Sequence, residues 1–268
     1  MKKKKYVIQP RMYEIENTDI TYKNPFYKAR SIGTSQKARF SLKDIISSNL
    51  SIRNQQDTQS CWAFASLSSL ETNLALSNYK KGVNTSKIYD YSERHMVYST
   101  SKTFNNNVQN PSGYNKEAGD GGNWYYAESY LTNGSGAIDE ASMPFENNEN
   151  TIDINQIQNK PVTSQLYDTV YFPNYRSQTA EKKEQTMNKI KQHIQNYGSV
   201  TAYIHGASSS TTAFNCYNND TGAKYCNSSL THKIDHAVSI IGWDDNYSVE
   251  NFATNARPSS NGAWIVRN

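Results

Sequence analysis

The clearest pattern of apolar and polar positions lies between residues 61 and 74. There Phe64, Leu67, Leu70 and Leu74 recur at three- and four-residue steps. That spacing predicts an amphipathic helix with Cys61 in its first turn. A second, shorter helix is predicted from Tyr91-Ser92-Glu93-Arg94, with Ser92 as its N-cap. Residues 105–122 are rich in Asn, Gly, Ser and Pro and predict a loop, after which 124–131 resumes helical spacing. Residues 146–165 are polar and irregular and read as a crossing between two halves. A charged helix follows over 181–197, with Met187, Ile190 and Ile194 on its apolar side and Gly198 ending it. Strands are predicted at 200–204, 237–241 and 263–266. Helices dominate the first half and strands the second, which gives an α+β fold without an internal repeat. Residues 1–36 lack periodicity and read as an N-terminal leader or surface strap ahead of one domain over 37–268.

Composition modifies this picture in two ways. Apolar residues are only 36% of the chain, but 20 Tyr, 8 Phe and 4 Trp supply enough buried area for a core. The polar excess is Asn, Ser, Thr and Gln rather than charge, as in a loop-rich globular protein and unlike a disordered one. The net charge of +4 resides in Lys2 to Lys5, which reads as a solvated tail. With no second basic cluster or aromatic platform, nucleic acid is not an expected partner. No segment approaches the roughly 18 apolar residues of a membrane span. Met1 to Lys5 resembles the basic start of a signal peptide, but residues 6–17 are not an apolar continuation, so no complete export signal is present in the sequence.

The three cysteines are Cys61, Cys216 and Cys226. A nucleophile plus one disulfide accounts for them in a secreted thiol enzyme. Cys216 and Cys226 enclose the turn-rich Asn218-Asn219-Asp220-Thr221-Gly222, which favours a bridge between two strands; two reduced thiols in a cytosolic protein is the other reading. A thiol attacks carbonyls as its thiolate, and the N–H groups and dipole of a helix N-terminus lower its pKa. Cys61 has that position. A thiolate–imidazolium pair also needs a histidine delivered from elsewhere in the chain. Taken in isolation, Cys61 reads as helix packing and His236, before an apolar run, as a core histidine. His232 and His236 are four apart, but no Cys or carboxylate completes a metal set on this strand-like segment, so no metal site is expected. His95, His193 and His205 read as surface or structural. Trp124, Tyr125 and Tyr126 read as core, with lining of a substrate cleft as the alternative.

Three segments taken together resemble the papain-like cysteine peptidases. The first is Gln55-Gln-Asp-Thr-Gln-Ser-Cys61-Trp62-Ala63-Phe64, the second Asp235-His236-Ala237-Val238 running into Ile240-Ile241-Gly242-Trp243, and the third Gly262-Ala-Trp-Ile-Val-Arg-Asn268. The resemblance extends from about Phe40 to Asn268. It implies a two-lobed α+β fold, with a helical half opened by Cys61, a β-rich half carrying His236 and Asn268, and the cleft between them. It implies a cysteine endopeptidase acting on peptide or protein substrates without a cofactor. Cys61 would be the nucleophile and His236 the base, with Gln55 in the oxyanion hole and Asn268 orienting the imidazole. Gly121 and Gly122 resemble the family's Gly-Gly stretch, whose backbone pairs with substrate as an added strand. A catalytically impaired fragment or a binding module on the cell surface is the alternative. A cell-wall amidase is disfavoured by the Gln55 offset and the Cys-Trp-Ala-Phe text.

Departures from the family pattern carry further expectations. A cysteine common in relatives three positions before the nucleophile is Thr58 here, and its usual partner is Gly119, so both ends of that disulfide are absent. Cys61 and His236 are 175 residues apart, beyond the family's roughly 130–150, with insertions expected at 100–118, 208–232 and 244–260. The wording Gly242-Trp-Asp-Asp-Asn-Tyr-Ser248, then Asn251-Phe252, resembles the bacterial surface branch, in which a lectin-like domain often follows. That resemblance implies a secreted or cell-surface protein. Relatives continue past the Asn with Ser-Trp-Gly, so the resemblance also implies truncation at Asn268 and an impaired peptidase.

Overall fold

A computed structural model describes residues 37–104, 108–146, 152–175, 178–206, 216–226 and 234–268. The expected leader over 1–36, with its lysine run, and His232 lie outside the described residues. The chain forms two units. In the smaller, over 170–190, Thr186 Oγ1 donates to Gln178 Oε1 at 2.8 Å and Lys183 lies over the Tyr175 ring at 5.3 Å. The larger unit comprises 37–169 and 191–268.

The element order begins with β1 (Arg39–Ser41) and α1 (Lys43–Ile46), followed by α2 (Cys61–Lys81) and α3 (Glu93–Thr100). Three short strands come next, β2 (Ser101–Phe104), β3 (Val108–Gln109) and β4 (Tyr114–Glu117), then α4 (Trp124–Thr132) and α5 (Ile154–Ile157). The chain ends with α6 (Ala180–Tyr197), β5 (Val200–Ile204), β6 (His236–Asp244) and β7 (Ala263–Arg267). Helix α2 runs seven residues beyond the apolar repeat that predicted it and stops at Gly82, whose left-handed conformation returns its N–H to Asn78 O and Tyr79 O. Ser92 caps α3 as expected, accepting from the His95 N–H.

Strand β6 organises the main sheet. It pairs antiparallel with β5 over its first five residues, with β1 over its last three, and with β7 along the opposite edge. Seven consecutive β6 residues are buried, as befits a strand covered on both sides. Strand β1 was not anticipated, because three residues are too few for an alternating pattern to register. The stretch over 105–122, expected as loop, holds β3 and β4 among its described residues. These pair with β2 through the backbone, which requires no apolar alternation.

Helix α2 packs on β5 and β6. The seam is polar: Thr72 Oγ1 meets Ser199 Oγ at 2.9 Å, Ser69 Oγ meets Thr201 Oγ1 at 2.9 Å, and Ser239 Oγ donates to Ser199 Oγ at 2.7 Å. A side chain at Gly198 would lie 2.7 Å from Asn73 N, and φ there is +114°, so only glycine lets β5 start this close to the helix. These contacts fix the helix that begins at Cys61 against the strand that begins at His236.

A cluster including Trp62, Leu67, Tyr91, Met96, Tyr130 and Ile138 forms the core on the helical side. His95 belongs there: Nδ1 meets Tyr130 Oη at 2.7 Å and Nε2 meets Ile157 O at 2.9 Å, and burial pushes its pKa down to about 4. It is structural. Trp124 and Tyr125, read from sequence as core, are 42% and 39% exposed. They open α4 just past Gly121-Gly122 and the N-cap Asn123, and helical spacing alone does not distinguish a covered first turn from an open one.

Candidate active site

Cys61 is the first residue of α2 and keeps a free, half-buried thiol. The helix has no acidic residue in its first turn, so its N-terminal dipole is unopposed at the sulfur. His236 is the first residue of β6. Asn268 directly follows β7, where Ser239 pairs with Arg267; one more step of that antiparallel register sets Asn268 across from Val238. His236 is two residues from Val238 and so faces the same side. The register therefore brings the two side chains together, and His236 Nε2–H donates to Asn268 Oδ1 at 2.7 Å. The other ring nitrogen, Nδ1, is left to meet the Cys61 sulfur.

The electrostatics of the two groups are reciprocal. Burial pushes the Cys61 thiol up, but the hydrogen bond with His236, backbone hydrogen bonds from Ala237 and Trp62 and the imidazolium charge outweigh it, and the thiol lies below its ordinary range. His236 is held above its ordinary value chiefly by its hydrogen bond with Cys61, against burial, with the Asn268 contact and the thiolate charge adding to the rise and Lys224 opposing it. Both shifts favour a thiolate–imidazolium pair over the neutral couple.

Gln55 lies in a tight turn before α2. Its Nε2 donates to Thr58 O at 2.7 Å, and Thr58 Oγ1 donates back to Gln55 O at 2.6 Å. One amide N–H is thus used to fix the side chain and the second remains for another acceptor. Gly121 has φ +77°, and at Gly122 a side chain would come 2.3 Å from Trp62 Cε2. Gly122 thus packs against the indole of Trp62, the residue after Cys61, while Gly121 lies by Gln59. Thr58 and Gly119, the two positions of the missing disulfide, line one cavity of about 110 Å³ together with Ser60, Tyr98 and Phe145. Cys216 and Cys226 are disulfide-bonded, Cα–Cα 5.0 Å. Their hairpin is tied to Asn251 O by Asn218 Nδ2 at 2.9 Å.

Sequence reasoning missed Tyr203 and Lys224. Tyr203 pairs across the sheet with Ala237, and both burial and the nearby Cys61 charge raise its pKa. Lys224, inside the disulfide hairpin, lies near enough to His236 to oppose its protonation. No local motif marks either residue: Tyr203 reaches the site through a cross-strand pairing distant in sequence, and Lys224 through the disulfide hairpin. Among the described residues, no group of three or more His, Cys, Asp or Glu is placed to hold a metal ion, and no helix is long and apolar enough to cross a membrane.

Comparison with known proteins follows this geometry. The profile of the papain family cysteine proteases matches residues 42–268. No curated protein sequence matches the chain. Among solved structures, a clostridial cysteine protease, Cwp84 after propeptide cleavage, is 28% identical with a TM-score of 0.65, covering 86% of this chain and 50% of that one. The cysteine protease and lectin-like domains of Cwp84, a surface layer associated protein of Clostridium difficile, are 27% identical with a TM-score of 0.62, covering 87% of this chain and 44% of that one. The bromelain protease of Ananas comosus in complex with the E64 inhibitor shares the fold, at 17% identity and a TM-score of 0.53, covering 88% of this chain and 83% of that one. The chain spans about half the length of the first of these structures.

Proposed function

Because this chain belongs to the papain family of cysteine proteases, we propose that it is a cysteine endopeptidase that hydrolyses peptide bonds through Cys61 and His236. The observation that carries this reading is the alignment of Cys61, His236 and Asn268, with His236 Nε2 2.7 Å from Asn268 Oδ1 and the Cys61 and His236 pKa values displaced toward the charged pair. The Cys61 thiolate attacks the scissile carbonyl, and the oxyanion takes hydrogen bonds from the free N–H of the Gln55 side chain and from the Cys61 backbone. His236 gives its proton to the leaving amine, which departs from a thioester on Cys61. His236 then accepts a proton from the water that hydrolyses this thioester. Asn268 keeps the imidazole in the tautomer and plane both transfers need. Gly121 and Gly122 offer backbone to an extended peptide.

The likeness to a surface-layer-associated protease supports a secreted or cell-surface setting, in which the Cys216–Cys226 bridge is stable. A lectin-like domain accompanies the protease in that relative, and the same arrangement is proposed for the full-length protein. The test is hydrolysis of a panel of fluorogenic peptides, together with labelling by an epoxide thiol reagent. The epoxide is expected on Cys61 alone, and Cys61→Ala should abolish both labelling and hydrolysis. Hydrolysis that survives Cys61→Ala, or a folded wild type that takes no epoxide, rejects the assignment.

A further inference from the structure

We propose that Glu71 is a positioning residue, whose buried carboxylate holds the Gln55 turn and the Asn268 strand end in register with the Cys61 helix. The proposal rests on the catalytic reading above and extends it to residues outside the reacting groups.

Glu71 lies on α2 ten residues after Cys61 and is completely buried. Its Oε1 receives Arg53 Nη2 at 2.9 Å and the Tyr91 N–H at 3.0 Å, and Oε2 lies 3.5 Å from Arg267 Nη1. The two arginines occupy informative positions in the sequence. Arg53 is two residues before Gln55, and Arg267 immediately precedes Asn268. One carboxylate on the nucleophile helix is therefore tied to the segment carrying the oxyanion donor and to the segment carrying the residue that orients His236.

The neighbouring contacts close the arrangement. Arg53 Nη1 also meets Glu93 Oε1 at 2.6 Å, and its Nη2 meets Asp90 Oδ1 at 2.7 Å. Arg267 donates from Nε and Nη2 to Ser51 O, at 3.1 and 2.6 Å, and from Nη1 to Ser68 Oγ on α2 at 3.0 Å. The strand end is thus held to the loop before Gln55 and to the helix below Cys61. Net stability is a poor explanation for such a cluster. Burying two carboxylates and two guanidiniums carries a desolvation cost that the ion pairs often fail to exceed, and apolar replacements of buried ion clusters are frequently neutral or stabilising. Fixed, directional contacts are what apolar packing does not supply. Catalysis depends on them, because an ångström of misplacement costs on the order of 10²-fold in rate.

The experiment compares wild type with Glu71→Gln, Arg267→Ala, Arg267→Lys and Ser68→Ala in the full chain. Three quantities are read: thermal melting, kcat and KM on a peptide substrate, and the pH midpoint of Cys61 alkylation by iodoacetamide. Assayed at about pH 8, above the Glu71 value of about 7, Glu71→Gln and Arg267→Ala should each lower kcat roughly tenfold with little change in KM. They should also move the alkylation midpoint upward, because a displaced His236 no longer holds the thiol down. Arg267→Lys, which keeps the charge but loses the forked geometry, and Ser68→Ala, which removes one contact, should show the same changes in weaker form. They carry the test if the other two variants do not fold. Variants that melt lower yet keep the wild-type kcat and alkylation midpoint overturn the proposal, leaving Glu71 a purely structural residue. A wild type alkylated only in the ordinary thiol range would instead reject the catalytic reading.

Discussion

His236 Nε2 stands 2.7 Å from Asn268 Oδ1, a contact set by the antiparallel register of β6, which His236 begins, and β7, which Asn268 directly follows. The hydrogen bond contributes to the raised His236 pKa, after the larger effect of Cys61. Asn268→Ala should therefore lower the His236 pKa, let the Cys61 thiol rise toward its ordinary range, and reduce kcat roughly tenfold. An NMR titration of the His236 ring with and without the substitution measures the first effect. An unchanged His236 pKa would show that the contact contributes nothing to the imidazolium.

Lys224 acts in the opposite direction. Its charge disfavours the His236 imidazolium from within the disulfide hairpin. Lys224→Gln should raise the His236 pKa and carry the thiolate–imidazolium pair to higher pH, with the fold intact. The alkaline limb of kcat/KM should move up in pH. A downward movement would contradict the sign derived from the charge.

Gln55 keeps one amide N–H on Thr58 O and has one remaining. If that second N–H stabilises the oxyanion, Gln55→Ala should lower kcat roughly 10²-fold and leave KM near its wild-type value. A change confined to KM would make Gln55 a substrate-binding residue and no more.

The parts of this site that could be read in the sequence were contiguous ones. Gln55, Cys61 and the residues after it form a single local text on a turn and a helix start, and His236 and Asn268 begin and follow runs that read as strands. Arg53, Glu71 and Arg267 gave no such signal. Their meeting depends on how α2 packs against two distant segments, and charged residues in a sequence normally read as solvated. Tyr203 and Lys224 approach the site through cross-strand pairing and a disulfide hairpin, which periodicity does not encode. Trp124 and Tyr125 show the converse limit, since aromatic residues at helical spacing suggested core while the first turn of α4 is open.

Gly122 tests the packing beside Cys61. A Cβ there would come within 2.3 Å of Trp62 Cε2, and Trp62 is 1% exposed, with no room to swing aside. Gly122→Ala should destabilise the protein by about 1–3 kcal/mol through overpacking, lowering Tm by roughly 3–10 °C. A Tm within a degree of wild type, measured by calorimetry, would mean that the indole yields easily.

The last prediction concerns pH and follows from the buried carboxylates. Burial pushes the Glu71 and Glu93 carboxyls up to about 7 from an ordinary value of 4.5, against the pull of Arg53. The charged and titratable neighbours are Arg53, Asp90, Tyr91, Glu140 and Arg267; Glu93 reinforces the rise at Glu71 and Glu140 that at Glu93, while Arg53 opposes both and Arg267 opposes that at Glu71. Both folded-state values lie above the unfolded one. Between the two, the folded protein retains protons that the unfolded chain has released, so the stability contributed by these groups is full below the ordinary carboxylate range and is lost as pH rises through about 7. This is the reverse of a surface carboxylate paired with an arginine, whose contribution grows with pH. Thermal melts from about pH 5 to about pH 8 should show Tm falling over that interval. Glu71→Gln, which keeps the shape and cannot ionise, should flatten the fall. If Tm does not fall over this interval and Glu71→Gln leaves its pH dependence unchanged, the arginines outweigh burial and Glu71 is ionised throughout the range.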